Sequence, residues 1–185
     1  HAEEITDLEV AKVIQQLEDI DTLEEMQAVA LYDRKEGAYR SDLKVPGLKD
    51  YISICKFYKR EAVLEFKNRI KYEDIAKMVE LFREMEYLDY VIFISFYWDN
   101  LVDLRKILPE HRVQFLTDKC DDELIDKMIA QKFELDVWYP CLTKEIIDKM
   151  HANGRVVNCW TVDDPEVAEK LVDLGVDYIT TDILE

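Results

Sequence analysis

Cations are scarce in this sequence. Its 185 residues carry 24 Lys and Arg against 41 Asp and Glu, a net charge of −17. A nucleic-acid groove or an anionic membrane face needs clustered Lys and Arg to offset phosphate charge, so neither partner is expected. A small phosphorylated substrate stays open, because a few local cations or a metal ion can hold one. An acidic chain that binds phosphate is a candidate for using a divalent metal.

Glycine and proline are equally rare, 4 of each, which leaves little material for long flexible linkers. No apolar run approaches the ~18 residues of a membrane span, and the longest, 91–96, has strand length, so no membrane insertion is expected. The opening His1-Ala2-Glu3-Glu4 lacks the basic-then-apolar pattern of a signal peptide. Cys55, Cys120, Cys141 and Cys159 stand far apart with no Cys-x-x-Cys, which fits buried free thiols in a reducing compartment, and the cytoplasm is the expected location. There are only 3 His, none beside a cysteine pair, so no zinc site is expected. His111 and His151 read as surface residues and His1 as a remnant at the chain's start; no acid–base pair of histidines is visible.

What is present is a globular composition, 49% apolar and 35% charged, at about one domain's length. Two amphipathic helices open the chain. Thr6 with Glu9 makes one capping box, ahead of Val10, Val13, Ile14 and Leu17; Asp21 with Glu24 makes a second, ahead of Leu23, Met26, Ala30 and Leu31. Residues 33–47 are polar and read as a loop, and 48–58 as a short helix. Then the pattern changes to strands at 62–67, 90–96, 113–116, 135–138, 156–162 and 176–181. Helices at 72–87, 100–108, 121–132, 143–152 and from Asp164-Pro165 to Gly175 separate them. The chain is therefore divided into a helical and loop segment, 1–47, and a run of βα units, 48–185, within a single domain overall.

Strict βα alternation implies a parallel sheet covered by helices. No GxGxxG or GxxxxGK[ST] follows any strand, so a nucleotide-binding doubly wound fold loses support. The remaining common architecture is α/β of the (β/α)8 TIM-barrel type. Such a barrel usually needs about 250 residues and eight units. Six βα units are visible, so the barrel is apparently incomplete, with two strands missing from the front.

Charge in the strands marks the chemistry. In Leu64-Glu65-Phe66-Lys67, alternation puts Glu65 and Lys67 on one face and Leu64 and Phe66 on the other. Both faces of a helix-covered parallel sheet should be apolar, so two inward charges are costly unless paired or bound to something. They read either as an internal ion pair or as a metal-ligand Glu beside a phosphate-binding Lys. Lys67 lies at the carboxyl end of its strand, where barrel enzymes place their active sites. Asn158 and Trp160 likewise share a face, as core packing or as a pocket wall. Ser95-Phe96, Trp138-Tyr139-Pro140 and Thr180-Thr181-Asp182 close further strands and read as rim or turn chemistry.

Together these segments resemble a known family. Val45-Pro46-Gly47-Leu48, Leu64-Glu65-Phe66-Lys67, Ile94-Ser95-Phe96, Asn158-Cys159-Trp160-Thr161-Val162 with Asp164-Pro165-Glu166, and Leu174-Gly175-Val176-Asp177-Tyr178-Ile179-Thr180-Thr181-Asp182 follow one another as in glycerophosphodiester phosphodiesterases. The resemblance runs from about Thr22 to the end. It implies a (β/α)8 barrel and a hydrolase dependent on a divalent metal (Mg, Ca or Mn), which cleaves small-molecule glycerophosphodiesters to glycerol 3-phosphate and an alcohol. By it, Glu65 matches the metal-ligand Glu, Lys67 the catalytic phosphate-contacting Lys, and Trp160 an aromatic of the glycerol pocket. Phe96 and Asn158 are placed with Trp160 as substrate-binding residues.

The family's opening His-Arg-Gly, its Glu-x-Asp metal pair and the His-Asp that follows have no counterpart in this sequence. Two other readings therefore stand beside the enzyme: a barrel-derived binding or interaction protein without the chemistry, and a different phosphate-handling barrel. An open sheet edge would also admit an oligomer.

Overall fold

The computed structural model describes residues 22–33 and 35–184. The expected helix over Val10, Val13, Ile14 and Leu17, and His1, lie outside them. The chain divides into two compact units, 1–58 and 59–185.

In the first unit, α1 (Leu23–Ala28) starts at a capping box one residue later than expected. The Thr22 hydroxyl accepts from Glu25 N at 3.2 Å, and the Glu25 carboxylate accepts from Thr22 N at 2.9 Å. The helix is also shorter than expected, because Val29 is already extended and Leu31 enters a strand. Residues 33–47 are not all loop: β1 (Leu31–Asp33) pairs antiparallel with β2 (Ala38–Arg40). Tyr32 and Tyr39 meet edge-to-face across this hairpin at 5.2 Å, and Arg40 closes onto Asp33 at 3.1 Å. Strands of three residues are too short to show alternation, so the hairpin leaves no pattern in the sequence. The helix expected over 48–58 forms as α2 (Leu48–Tyr58).

The second unit is the βα array. In order it contains β3 (Ala62–Glu65), α3 (Tyr72–Glu84), β4 (Val91–Ser95), α4 (Trp98–Ile107), β5 (Val113–Thr117) and α5 (Asp122–Ala130). Then follow β6 (Glu134–Trp138), α6 (Lys144–Ala152), β7 (Val157–Trp160), α7 (Pro165–Leu174) and β8 (Tyr178–Ile179). The six strands form one parallel sheet in chain order, β3-β4-β5-β6-β7-β8. All six predicted strands and five predicted helices are found, with shorter ends. The helices expected to reach Tyr87 and Lys132 stop early, at Glu84 and Ala130, and two residues beyond each end Glu86 and Lys132 take left-handed φ of 51° and 57° without being glycine. Asp121, Thr143 and Asp164 cap α5, α6 and α7 with their side chains, Pro165 opens α7, and Gly175 at φ 105° ends it.

Register sorts the side chains into two faces. Ala62, Phe93, Val113, Leu135, Val137, Val157 and Cys159 point to the helices and are buried with Phe82, Leu101, Leu104, Ile125, Met128, Ile147 and Met150. The opposite face carries Val63, Glu65, Ile92, Ile94, Gln114, Leu116, Glu134, Asp136, Asn158 and Trp160. That face is concave. Three strand spacings separate β4 from β7, about 14 Å in a flat sheet, yet Phe96, just past β4, and Trp160 on β7 have ring centroids 5.8 Å apart. The sheet therefore curls into the back of a barrel, with its polar face inside. Val63 on this inner face is 45% exposed, so the interior is open at β3.

Candidate active site

A layer at the amino-terminal half of the inner face is closed by polar side chains. The Arg112 guanidinium reaches Glu134 at 3.3 Å and Glu61 at 3.2 Å. Gln114 Nε2 donates to Glu134 Oε2 at 3.0 Å, Asn158 Nδ2 to Gln114 Oε1 at 3.3 Å, and Thr180 Oγ1 to Asn158 Oδ1 at 3.5 Å. Each buried group finds a partner, as low-dielectric surroundings demand. Asn158 is engaged at both ends of its amide in this ladder.

Glu65 and Lys67 lie at the opposite, carboxyl-terminal end of the sheet. Lys67 Nζ bonds Glu65 Oε2 at 2.5 Å, with the lysine side chain 77% exposed and the glutamate 26%. The two charges are thus paired, but at an open rim and not as the internal ion pair of one sequence reading. A pair so open to solvent contributes only about 0–1 kcal/mol, so stability gives little reason for a glutamate to be turned inward. Lys67 lies just past β3; the ladder runs on through Phe66 N, which donates to Ile94 O at 2.9 Å.

The segment that carries Lys67 is clamped from behind. Fully buried Asn100 accepts at Oδ1 from Ile70 N (2.9 Å) and from Arg69 (2.8 Å), and donates from Nδ2 to Asn68 O (2.8 Å) and Ser95 Oγ (3.2 Å). Ser95 Oγ in turn donates to Phe66 O at 2.8 Å. Arg69 also pairs with Asp103, which bonds Lys106 at 2.7 Å; these two cations hold the Asp103 carboxyl below its ordinary range, Lys106 foremost. Sequence reading saw Ser95 only as a strand end and missed Asn100, because a polar residue near a helix start carries no sign of being buried.

Phe96 and Trp160 meet edge-to-face at an interplanar angle of 76°. Trp160 also packs on the cluster of Ile92, Ile94 and Leu116, and its indole N–H donates to Asp136 O at 3.3 Å. These two aromatics and the Glu65–Lys67 pair are the site residues brought to one end of the inner face. Asp136, which the sequence reading missed, is there too. It is 2% exposed, and burial first, then the charge of Glu65, pushes its carboxyl up to about 7.

The histidines are elsewhere. His111 is half-buried rather than on the surface: its Nε2 donates to Val91 O at 2.7 Å and its ring packs 5.5 Å from Phe93. Burial pushes its pKa down. His151 is exposed and bonds Asp177 at 2.8 Å. Both sit at the amino-terminal ends of strands. Cys55 and Cys159 are buried, whereas Cys120 and Cys141 are partly open; all four are free thiols. Thr181 is a turn residue, with Oγ1 on Asp163 at 3.0 Å. Among the described residues no group of three or more His, Cys, Asp or Glu side chains is arranged to hold a metal ion, and no helix is long and apolar enough to cross a membrane.

A parallel sheet in chain order, helix-covered outside and charged within, with Glu65 toward the strands' carboxyl ends, defines the TIM-barrel class of enzyme scaffold. The comparisons with known proteins narrow it. The model of the glycerophosphoryl diester phosphodiesterase family matches residues 3–185, and the chain belongs to that family. It is 30% identical over 151 residues to an uncharacterized protein, YqiK, of Bacillus subtilis, an alignment covering 78% of this chain and 62% of that one. It is 27% identical over 124 residues to a glycerophosphodiester phosphodiesterase of Bacillus altitudinis, covering 64% and 51%. Among solved structures, a glycerophosphodiester phosphodiesterase from Parabacteroides distasonis superposes with a TM-score of 0.73 at 25% identity, over 88% of this chain and 67% of its own. A phosphodiesterase from Oleispira antarctica, in complex with the product sn-glycerol-3-phosphate, shares the fold at TM-score 0.67 and 21% identity, over 75% and 57%. The chain thus spans between half and two thirds of the length of these two curated relatives.

Proposed function

We propose that the protein hydrolyses glycerophosphodiesters to glycerol 3-phosphate and an alcohol, with a divalent cation held at Glu65. The observation that carries this reading is the Glu65–Lys67 pair, turned into a concave, aromatic-walled end of a sheet where its charge contributes little to stability. Lys67, long and mostly exposed, can leave Glu65 for a non-bridging phosphate oxygen and neutralise charge that grows in the transition state. Phe96 and Trp160 offer an apolar corner to the glycerol carbons, and Asn158 braces that wall from the layer beneath. The carboxylate donors fit a hard cation such as Mg, Ca or Mn, which prefers oxygen. When bound, such a cation supplies further charge neutralisation and a water of lowered pKa. His111 and His151 do not supply the acid–base groups, since both are bonded at the other end of the strands.

That same placement of the histidines favours the second reading, a binding protein that keeps the pocket without turnover. The two separate in one assay. The intact natural protein is incubated with glycerophosphocholine and Mg, Ca or Mn, and glycerol 3-phosphate is measured. Metal-dependent release, lost in Glu65→Gln, supports the hydrolase; binding of the diester without release supports the alternative.

A further inference from the structure

We propose that Asp136 is a second carboxylate ligand, on β6, for the divalent cation that Glu65 holds on β3. The inference rests on the reading of Glu65 given above. Two inward carboxylates stand on β6, and the contrast between them carries the argument. Glu134 is saturated, by Arg112 and by Gln114. Asp136 is as deeply buried, yet its Oδ1 has no hydrogen-bond partner among the described residues. A buried carboxylate oxygen left bare is expensive and uncommon in folded proteins.

Among the described residues, the side chains that flank it do not relieve it. Leu116 and Asn158 flank Asp136 in register; the first is apolar, and the second gives its N–H to Gln114. The Trp160 indole N–H is turned to the Asp136 backbone carbonyl, not to its carboxylate. Lys67 is on Glu65. The curl of the sheet, seen where Phe96 meets Trp160, turns Glu65 on β3 and Asp136 on β6 into the same concave interior. Two inward carboxylates without a shared cationic side chain form half of an oxygen-only ligand set, which is what a hard divalent ion requires. The sequence resemblance assigns no role to this position.

The test uses Mn2+ alone as the probe, on the intact natural protein, by loss of the free-ion EPR signal on titration. Wild type, Glu65→Gln, Asp136→Asn and Asp136→Ser are compared, with hydrolysis of glycerophosphocholine measured separately. Mn2+ binding is expected to weaken at least about tenfold in both Asp136 variants, as for Glu65→Gln. The rise in Tm that Mn2+ produces in the wild type should shrink in both, while the metal-free Tm of Asp136→Asn is no lower than wild type, which separates lost ligation from lost folding. Mn2+ affinity within about twofold of wild type in both Asp136 variants overturns the proposal, as does a wild type that binds no Mn2+. If the variants lose Mn2+ but no protein hydrolyses the diester, the hydrolase reading fails and the ligand assignment stands. If hydrolysis is metal-dependent and the Asp136 variants bind like wild type, the reverse holds.

Discussion

Glu65 is an inward charge whose pairing is nearly worthless for folding, and this separates its two readings by experiment. Glu65→Gln should reduce glycerol 3-phosphate release at least about a hundredfold, while shifting stability by no more than about 1 kcal/mol in urea denaturation. A large stability loss would mean that the ion pair is structural after all. Trp160→Ala should act on binding, raising KM about five- to tenfold through lost contact with the glycerol carbons, a loss of about 1–1.4 kcal/mol. Asp136 makes a pH-dependent claim. Its carboxyl is raised to about 7, so the folded state binds more protons than the unfolded one between the ordinary carboxylate range and neutrality. Stability from this group is therefore present in acid and is lost as pH rises toward 7. In metal-free buffer, Asp136→Asn should gain stability over wild type as pH rises from about 4 to about 8. A difference that does not change with pH would show that Asp136 titrates normally.

At the scale of elements, the loop after β3 is held by a buried amide rather than by its own sequence. Asn100 joins Asn68, Ile70, Arg69 and Ser95, so it ties α4 and β4 to the segment that carries Lys67. Asn100→Ala should cost about 1–3 kcal/mol in urea denaturation by removing the partner of Ile70 N, Asn68 O and the buried Ser95 hydroxyl, and it should lower turnover through Lys67 without altering the aromatic wall. Asp103 works in the same clamp, with the opposite pH sense to Asp136. Its carboxyl is held below the ordinary range, so its contribution is present at neutral pH and disappears as pH falls through its folded value. Asp103→Asn should be less stable than wild type near pH 7 and match it in strong acid. The shorter helices belong to this scale too. Glu86 and Lys132, two residues past α3 and α5, take left-handed conformations usually given to glycine, which is why the sequence carried no stop signal at the true helix ends.

For the whole molecule, the geometry of the sheet matters more than its content. β3 and β8 each pair on one side only among the described residues, and β8 is two residues long. Unpaired edges invite partners. The 185-residue chain alone is expected to associate with rising concentration in light scattering, and a strict monomer at all concentrations would show those edges to be protected.

Periodicity determined much of this protein from the sequence by itself. Six strands alternating with five helices and their parallel order follow from spacing, because burial on two sides imposes a regular pattern on a helix-covered sheet. Asn158 and Trp160 sharing a face followed in the same way. Tertiary structure alone decided which inward polar groups are satisfied. Asn158, Gln114 and Glu134 look no different in sequence from Asp136, yet three of them complete a ladder and the fourth is bare. It also decided that Phe96 meets Trp160, three strands away, and that His111 is held against Val91 and Phe93. Local patterns record which way a side chain points. The curl of the sheet decides what it meets, and that curl is a sum over all six strands that no single segment carries.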